Sequence, residues 1–192
     1  ITDNMMELAK DGRWLGGNTP MGFVVQRVST GSGKGKSAYS YLTSVPEEKQ
    51  MVQRLYELFR TNRSIQTTAK QMNREGYRTP SGAQFNTSTT RLVLKNPIYC
   101  TADQRSYDYF INHDGNVFGD LSEFDGQHGL SVYNKTEQEK YEDSDSTFIS
   151  PKFIQIVESK PISEWIIAVG KHEGFISSNQ WIETQELLDA IA

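Results

Sequence analysis

The sequence contains a single cysteine, Cys100, and this scarcity excludes several classes of protein. One cysteine forms neither an intramolecular disulfide nor a cysteine-based zinc site. Such usage is typical of a reducing compartment, so we expect a cytoplasmic protein. The longest purely apolar run, residues 165–169, is far shorter than the roughly 20 residues that a membrane span needs. The sequence therefore predicts no membrane partner.

Patterns that carry catalysis or bind metals are also lacking. The three histidines, His113, His128 and His172, are scattered without the spacing of a zinc site. The glycine-rich stretch TGSGKGKS has Thr30 where a phosphate-binding loop needs its first glycine, and a strand-like segment follows it instead of a helix. We therefore predict no catalytic residue, no metal site and no cofactor in this chain.

Acidic residues are absent from residues 76–102, although the whole chain has a net charge of −4. Residues 1–112 hold 15 Lys and Arg against 9 Asp and Glu, whereas residues 113–192 hold 5 against 15. This asymmetry favours a basic front half that faces an anion and an acidic rear half. The alternative is that charge merely varies between surface segments.

The front half begins with a predicted β-hairpin. Residues 23–28 and 38–43 are strand-like, and the flexible turn between them carries Lys34 and Lys36. The hairpin therefore has a basic tip.

Two helices are predicted after the hairpin. An apolar stripe over residues 51–59 indicates the first, and Ser44 with Glu47 fits a capping box at its start. The second helix is predicted to begin at Ser64 and to end at Gly76.

A third helix is predicted after a tight turn. Asn86 or Thr87 is expected to cap its start, Leu92 and Leu94 to anchor it in the core, and Pro97 to end it. Its first turn is rich in hydroxyl groups and contains no acid, as a helix that faces phosphate requires.

This third helix is a candidate for the reading helix of a helix-turn-helix. The N-terminal residues of such a helix lie in the major groove of DNA. Here residues 87–91 supply hydroxyl groups for phosphates or base edges, and Arg91 is able to form a two-point contact with guanine. The alternative is ordinary helix capping. The link over residues 76–86 exceeds the usual turn of about 3–4 residues, so a variant with an inserted hairpin is expected.

The rear half has a less regular pattern. Residues 114–150 are polar, acidic and glycine-rich, and we interpret them as a long insertion, partly folded as a small hairpin. Strand-like segments at residues 153–157 and 165–169 and a helix from about Ser178 follow. The predicted fold class is α+β: a small helical core with a helix-turn-helix-like element, flanking β-hairpins and a C-terminal strand–helix segment.

The predicted DNA-binding residues share polar or basic side chains at the ends of these front elements. They are Arg13, Asn18, Lys34, Lys36, Arg63, Arg74, Arg78, Thr79, Ser81, Gln84, Asn86, Thr87, Ser88, Thr89, Thr90, Arg91 and Lys95.

Four blocks of sequence, in order, resemble the recombinase domain of large serine recombinases, the phage integrases and transposon resolvases. They are GRWLGGNTPMGF, VPEEKQMVQRLYELF, SIQTTAKQMNREGYRTPSGAQF and LVLKNPIY. The resemblance covers residues 12–99 closely and resumes more weakly at KHEGFISSNQWIETQELL. The LKNPIY block and the spacing of Gly76, Thr79, Gly82 and Phe85 are its more specific features.

The resemblance implies a piece of a protein that cuts both DNA strands at paired sites, rotates them and religates them during integration or excision. Its nucleophilic serine is expected in a catalytic domain before residue 1, and zinc only in a ribbon after residue 192. The expected partners are double-stranded DNA, at an attachment or transposon-end site, and other recombinase subunits, in a bacterial or phage-encoded cytoplasmic protein.

The resemblance also implies four segments. They are the end of a linker helix (1–11), a DNA-binding recombinase domain (12–112), the acidic insertion (113–152), and a strand–helix segment that leads toward the ribbon (153–192). The rival interpretation is a protein-interaction module of a DNA-associated protein whose acidic half is the binding surface.

Overall fold

The computed structural model describes residues 2–35 and 37–192, which form a mixture of helices and short strands. The helices are α1 (Thr2–Lys10), α2 (Pro46–Asn62), α3 (Ile65–Arg74), α4 (Thr87–Lys95), α5 (Gln104–Asn112) and α6 (Ser178–Ala190). The strands are β1 (Phe23–Thr30), β2 (Ser37–Ser44), β3 (Asn116–Val117), β4 (His128–Tyr133), β5 (Thr136–Glu142), β6 (Phe153–Ser159) and β7 (Ile166–Glu173). The α+β fold class is thereby confirmed.

The strands form three separate sheets within the described residues. β1 and β2 make an antiparallel hairpin, and β5 and β6 make a second antiparallel ribbon. The third sheet has three strands in the order β3–β7–β4, in which β3 runs parallel and β4 antiparallel to β7. Both α1 and β2 pack against β7, so this sheet joins the two ends of the chain.

The core lies between the helices and β7. In α2 the buried side chains recur at helical spacing and face α3 and α4. α6 packs on α2, α4 and α5, and its Trp181 is almost fully buried. A stack of Phe23, Tyr99 and Phe175 links the β1–β2 hairpin to this helical core.

Several local predictions are confirmed and two are wrong. The N-caps at Ser64 and Asn86 form as predicted, each accepting a hydrogen bond from the backbone three residues later. The predicted capping box of α2 is absent, because Val45 is the N-cap and the Ser44 hydroxyl donates instead to Glu173. Leu92 does not anchor α4, since 73% of it is exposed.

The predicted insertion at residues 113–152 is divided between the core and the surface. β3 and β4 pair with β7, and Leu130 of β4 is completely buried. β5, by contrast, lies in the exposed β5–β6 ribbon. Helix α5 had no counterpart in the sequence-based prediction. The segment limits themselves remain a prediction.

None of the helices in the described part of the chain has both the length and the apolar character that crossing a bilayer requires.

Candidate nucleic-acid interface

The C-terminal end of α4 is fixed by side chains from two other helices. The last carbonyl groups of a helix have no partner within it. Tyr56 of α2 donates its hydroxyl to the Leu94 carbonyl at 3.1 Å, and Gln185 of α6 donates to the same oxygen at 2.8 Å. The Trp181 indole donates to the Asn96 carbonyl at 3.1 Å. Burial raises the pKa of Tyr56, which keeps its hydroxyl protonated as a donor.

The opposite end of α4 is open to solvent. Asn86 caps it by accepting a hydrogen bond from the Thr89 backbone at 2.8 Å. Thr87, Ser88 and Arg91 are all exposed. The free N–H groups and the partial positive charge of a helix start attract anions, and no carboxylate from residues 76–102 competes for them.

Asn73 fixes the position of the loop that leads into α4. Its side-chain amide donates to the Phe85 carbonyl at 2.8 Å and accepts from the Phe85 N–H at 2.7 Å. Phe85 is itself buried, with 3% exposed. The end of α3 and the start of α4 are thus joined by a two-point clamp, which the sequence analysis missed. Its only signal was a polar residue beside the apolar stripe of α3.

Replacing Asn73 with alanine is expected to destabilise the protein by about 1–3 kcal/mol, because two backbone groups of Phe85 lose their partner. Urea unfolding measures this loss. Asn62→Ala is the control, since Asn62 donates only to the Gln71 side chain. Equal losses in both variants would show that the clamp contributes nothing particular.

The acid closest in sequence to this surface, Glu75, is paired with an arginine. Glu75 receives two hydrogen bonds from the Arg54 guanidinium, at 2.8 and 2.9 Å, and one from Gln71 at 3.1 Å. These hydrogen bonds, led by that of Arg54, lower the pKa of Glu75. The carboxylate therefore stays charged and paired, and it does not offset the cations of α4.

Most of the predicted residues lie on α3, α4 and the loop between them. The exposed ones there, together with Arg63 at the end of α2, are Arg74, Arg78, Ser81, Gln84, Asn86, Thr87, Ser88, Arg91 and Lys95. Within the described residues, none of the five cations in this group pairs with a carboxylate. Arg78 donates to the carbonyls of Asn73 and Tyr77, which orients it along the loop.

Three of the predicted residues have side chains that are buried in the protein or bound to other groups of it. Thr90 is completely buried among the core side chains of α4, so the prediction that it contacts DNA is wrong. The Thr79 hydroxyl accepts from the Ala83 N–H and so supports the turn. Arg13 pairs with Asp11 at 3.3 Å and lies over the Tyr39 ring.

The remaining predicted residues are placed differently. Thr89 is half-buried in the first turn of α4. Asn18 is exposed in the loop before β1, and Lys34 is exposed at the tip of the β1–β2 hairpin. Lys36 lies outside the described residues.

Among the described residues, no group of three or more His, Cys, Asp or Glu is placed to hold a metal ion. Cys100 is buried, and burial raises the pKa of its thiol, which makes it a poor nucleophile.

The family model of Recombinase matches residues 46–190. This chain belongs to the Recombinase family. The match begins at the first residue of α2 and ends at the last residue of α6, so it contains the whole surface built on α3 and α4. It confirms the resemblance from residue 46 onward and does not extend to the β1–β2 hairpin.

No curated protein matches the Recombinase chain. Among solved structures, a crystal structure of an LSR–DNA complex matches with a TM-score of 0.48 and 14% identity, over 99% of this chain and 38% of that one. The Recombinase chain thus spans well under half the length of that protein.

Proposed function

We propose that this chain is the DNA-binding region of a site-specific serine recombinase that recognises attachment or transposon-end sites during integration and excision. Membership of the Recombinase family supports the proposal. The observation that carries it is the start of α4, which is exposed, rich in hydroxyl groups and free of carboxylates. The solved relative is a complex with DNA. Strand cleavage belongs to a catalytic serine domain elsewhere in the parent protein.

In this proposal, α4 enters the major groove with its N-terminal end first. The first-turn N–H groups and the hydroxyls of Thr87 and Ser88 bind phosphate oxygens. Arg91, one turn further, reaches the O6 and N7 atoms of a guanine. Arg74 at the end of α3 and Lys95 in the last turn of α4 add phosphate contacts.

Fluorescence anisotropy with labelled duplex DNA over a series of salt concentrations tests the proposal. Each neutralised phosphate contributes about −0.9 to the slope of log K against log salt. We expect weak binding that falls with salt, and no cleavage or joining of supercoiled plasmid. Salt-independent binding, or none, would favour the protein-interaction module instead.

Arg91→Ala is expected to weaken binding to a selected DNA site more than binding to random DNA. A good two-point arginine–guanine contact is worth roughly 1–3 kcal/mol of discrimination. Lys34→Ala combined with Lys36→Ala is expected to weaken both equally and to flatten the salt slope, because a lysine ammonium is a point charge that suits phosphate. Competition binding with selected and scrambled duplexes measures the difference.

Lys95→Ala provides the control on the same helix, since this exposed cation lies in its last turn. It is expected to affect both duplexes alike. If Arg91→Ala did the same, α4 would clamp the DNA backbone without reading bases.

A further inference from the structure

The β5–β6 ribbon carries a concentration of exposed apolar side chains. Neither strand gains a third strand within the described residues. Its large exposed apolar residues, with 42% or more of each accessible, are Tyr141, Phe148, Ile149, Phe153, Ile154, Ile156 and Val157. An isolated two-stranded ribbon is only marginally stable in water, and contiguous apolar surface marks an interaction site. The β5–β6 ribbon therefore has the properties of an interaction surface.

One face of the ribbon combines apolar residues with unpaired acids. The register places Tyr141 opposite Ile154, and Glu137 opposite Glu158. Like charges directly opposite each other destabilise a strand pair. Among the described residues, neither Glu137, nor Glu158, nor the adjacent Glu139 forms an ion pair. A partner that brings cations relieves this repulsion.

The charge of the ribbon identifies the partner's chemistry. Residues 136–159 hold six acids and two lysines. Such a surface is repelled by DNA phosphates. The partner is therefore a protein surface that offers exposed cations beside apolar side chains and has few acids of its own.

The β1–β2 hairpin of the same chain has these properties. Residues 23–44 contain no acid and three basic residues, Arg27, Lys34 and Lys36. Val25 and Arg27 are two residues apart in β1, so they lie on the same face of the strand, and both are exposed. Arg27 forms no ion pair within the described residues. Within the described residues no third strand is hydrogen-bonded to the hairpin, although β2 packs against β7.

We propose that the β5–β6 ribbon of one copy docks on the β1–β2 hairpin of a second copy. The acids Glu137, Glu139 and Glu158 surround Arg27 of the hairpin, and the apolar end of the ribbon covers Val25. Because each copy carries both surfaces, the contact is head-to-tail. This association goes beyond DNA binding and does not depend on it.

Sedimentation velocity of the whole chain without DNA, over a range of protein and salt concentrations, tests the proposal. The wild type is expected to self-associate weakly, and less so as salt rises. Glu137→Lys with Glu139→Lys, or Arg27→Glu alone, is expected to weaken association by at least about tenfold, because each places like charges together. An equimolar mixture of the two variants is expected to restore it, since each reversed surface then meets its complement.

Controls separate this contact from other causes. Glu142→Lys changes the same charge on the opposite face of β5, next to Phe153, and is expected to leave association unchanged. Tyr141→Ser with Ile154→Ser removes apolar contact without altering charge, and is expected to abolish association while circular dichroism shows a folded core. A wild type that stays monomeric throughout would overturn the proposal. So would a mixture of the reversed variants that fails to associate, or Arg27→Glu that loses DNA binding but keeps self-association.

Discussion

Replacing Ser88 with glutamate is expected to weaken binding of duplex DNA by roughly 100-fold while leaving the protein at least as stable. Ser88 is the second residue of α4, exposed and next to the capped start of the helix. A carboxylate there interacts favourably with the helix dipole, by about 0.3–1 kcal/mol. The same carboxylate faces DNA phosphates in our proposal, and such opposed like charges cost several kcal/mol. Stability and binding are thus expected to change in opposite directions.

The matched control is Asn179→Glu in α6. Asn179 is likewise the second residue of its helix, follows a serine N-cap and is exposed. Thermal unfolding and fluorescence anisotropy are measured on both variants. Both are expected to be slightly stabilised, and only Ser88→Glu is expected to lose DNA binding. Unchanged binding by Ser88→Glu would place the DNA surface elsewhere than the start of α4.

Acidification from pH 6.5 to pH 4 is expected to remove about 3 kcal/mol of stability through His172 alone. Burial of this imidazole lowers its pKa to about 4 from 6.5, against a smaller opposing effect of its hydrogen bond to the Ile98 carbonyl. The unfolded chain therefore takes up a proton between these two values, whereas the folded chain does not. Stability is fully present above pH 6.5 and falls as the pH drops toward 4.

The His172 imidazole is buried, with 4% of the residue exposed, and other side chains and backbone surround it. Its Nε2 donates to the Ile98 carbonyl at 2.8 Å, and its ring meets the edge of Phe23. An added Cβ at Gly129 or Gly170 would lie 2.3 or 2.4 Å from ring nitrogens of His172. The two glycines therefore provide the space that the ring fills, and charging it leaves an ion in the core.

Urea unfolding at several pH values checks the expectation. His172→Gln keeps an N–H donor for the Ile98 carbonyl and is expected to flatten the dependence on pH between 6.5 and 4. His113→Gln, at an exposed position, serves as the control that retains it. A wild-type slope that persists in His172→Gln would assign the proton uptake to other groups.

Local features of the structure were determined by the sequence alone. Ser64 and Asn86 begin α3 and α4 because a capping side chain needs only the backbone three residues ahead. The alternation and the glycine-rich turn that predict the β1–β2 hairpin are likewise short-range patterns. The absence of acids from residues 76–102 is a property of the sequence itself.

The direction of each side chain was predicted less well. Among the hydroxyl residues of α4, Thr87 and Ser88 are exposed while Thr90 is buried. Thr90 shares a helix face with Val93 and Leu94, three and four residues later, and those apolar neighbours carried the signal. The composition of residues 87–90 suggested four equivalent hydroxyl groups. Their positions around the helix make two of them exposed, one half-buried and one buried.

Only the tertiary structure decided how α4 is held and what surrounds it. Its last carbonyls are bound by Tyr56 and Gln185, from helices far away in sequence, and its entry loop by Asn73. β4 belongs to the core although its segment has no periodic apolar pattern. Its backbone hydrogen bonds to β7 hold it there, and those depend on residues far away in sequence. Hydrogen bonds between distant residues leave no periodic signature along the chain, so only the folded arrangement reveals which polar side chains have partners and which remain free to bind.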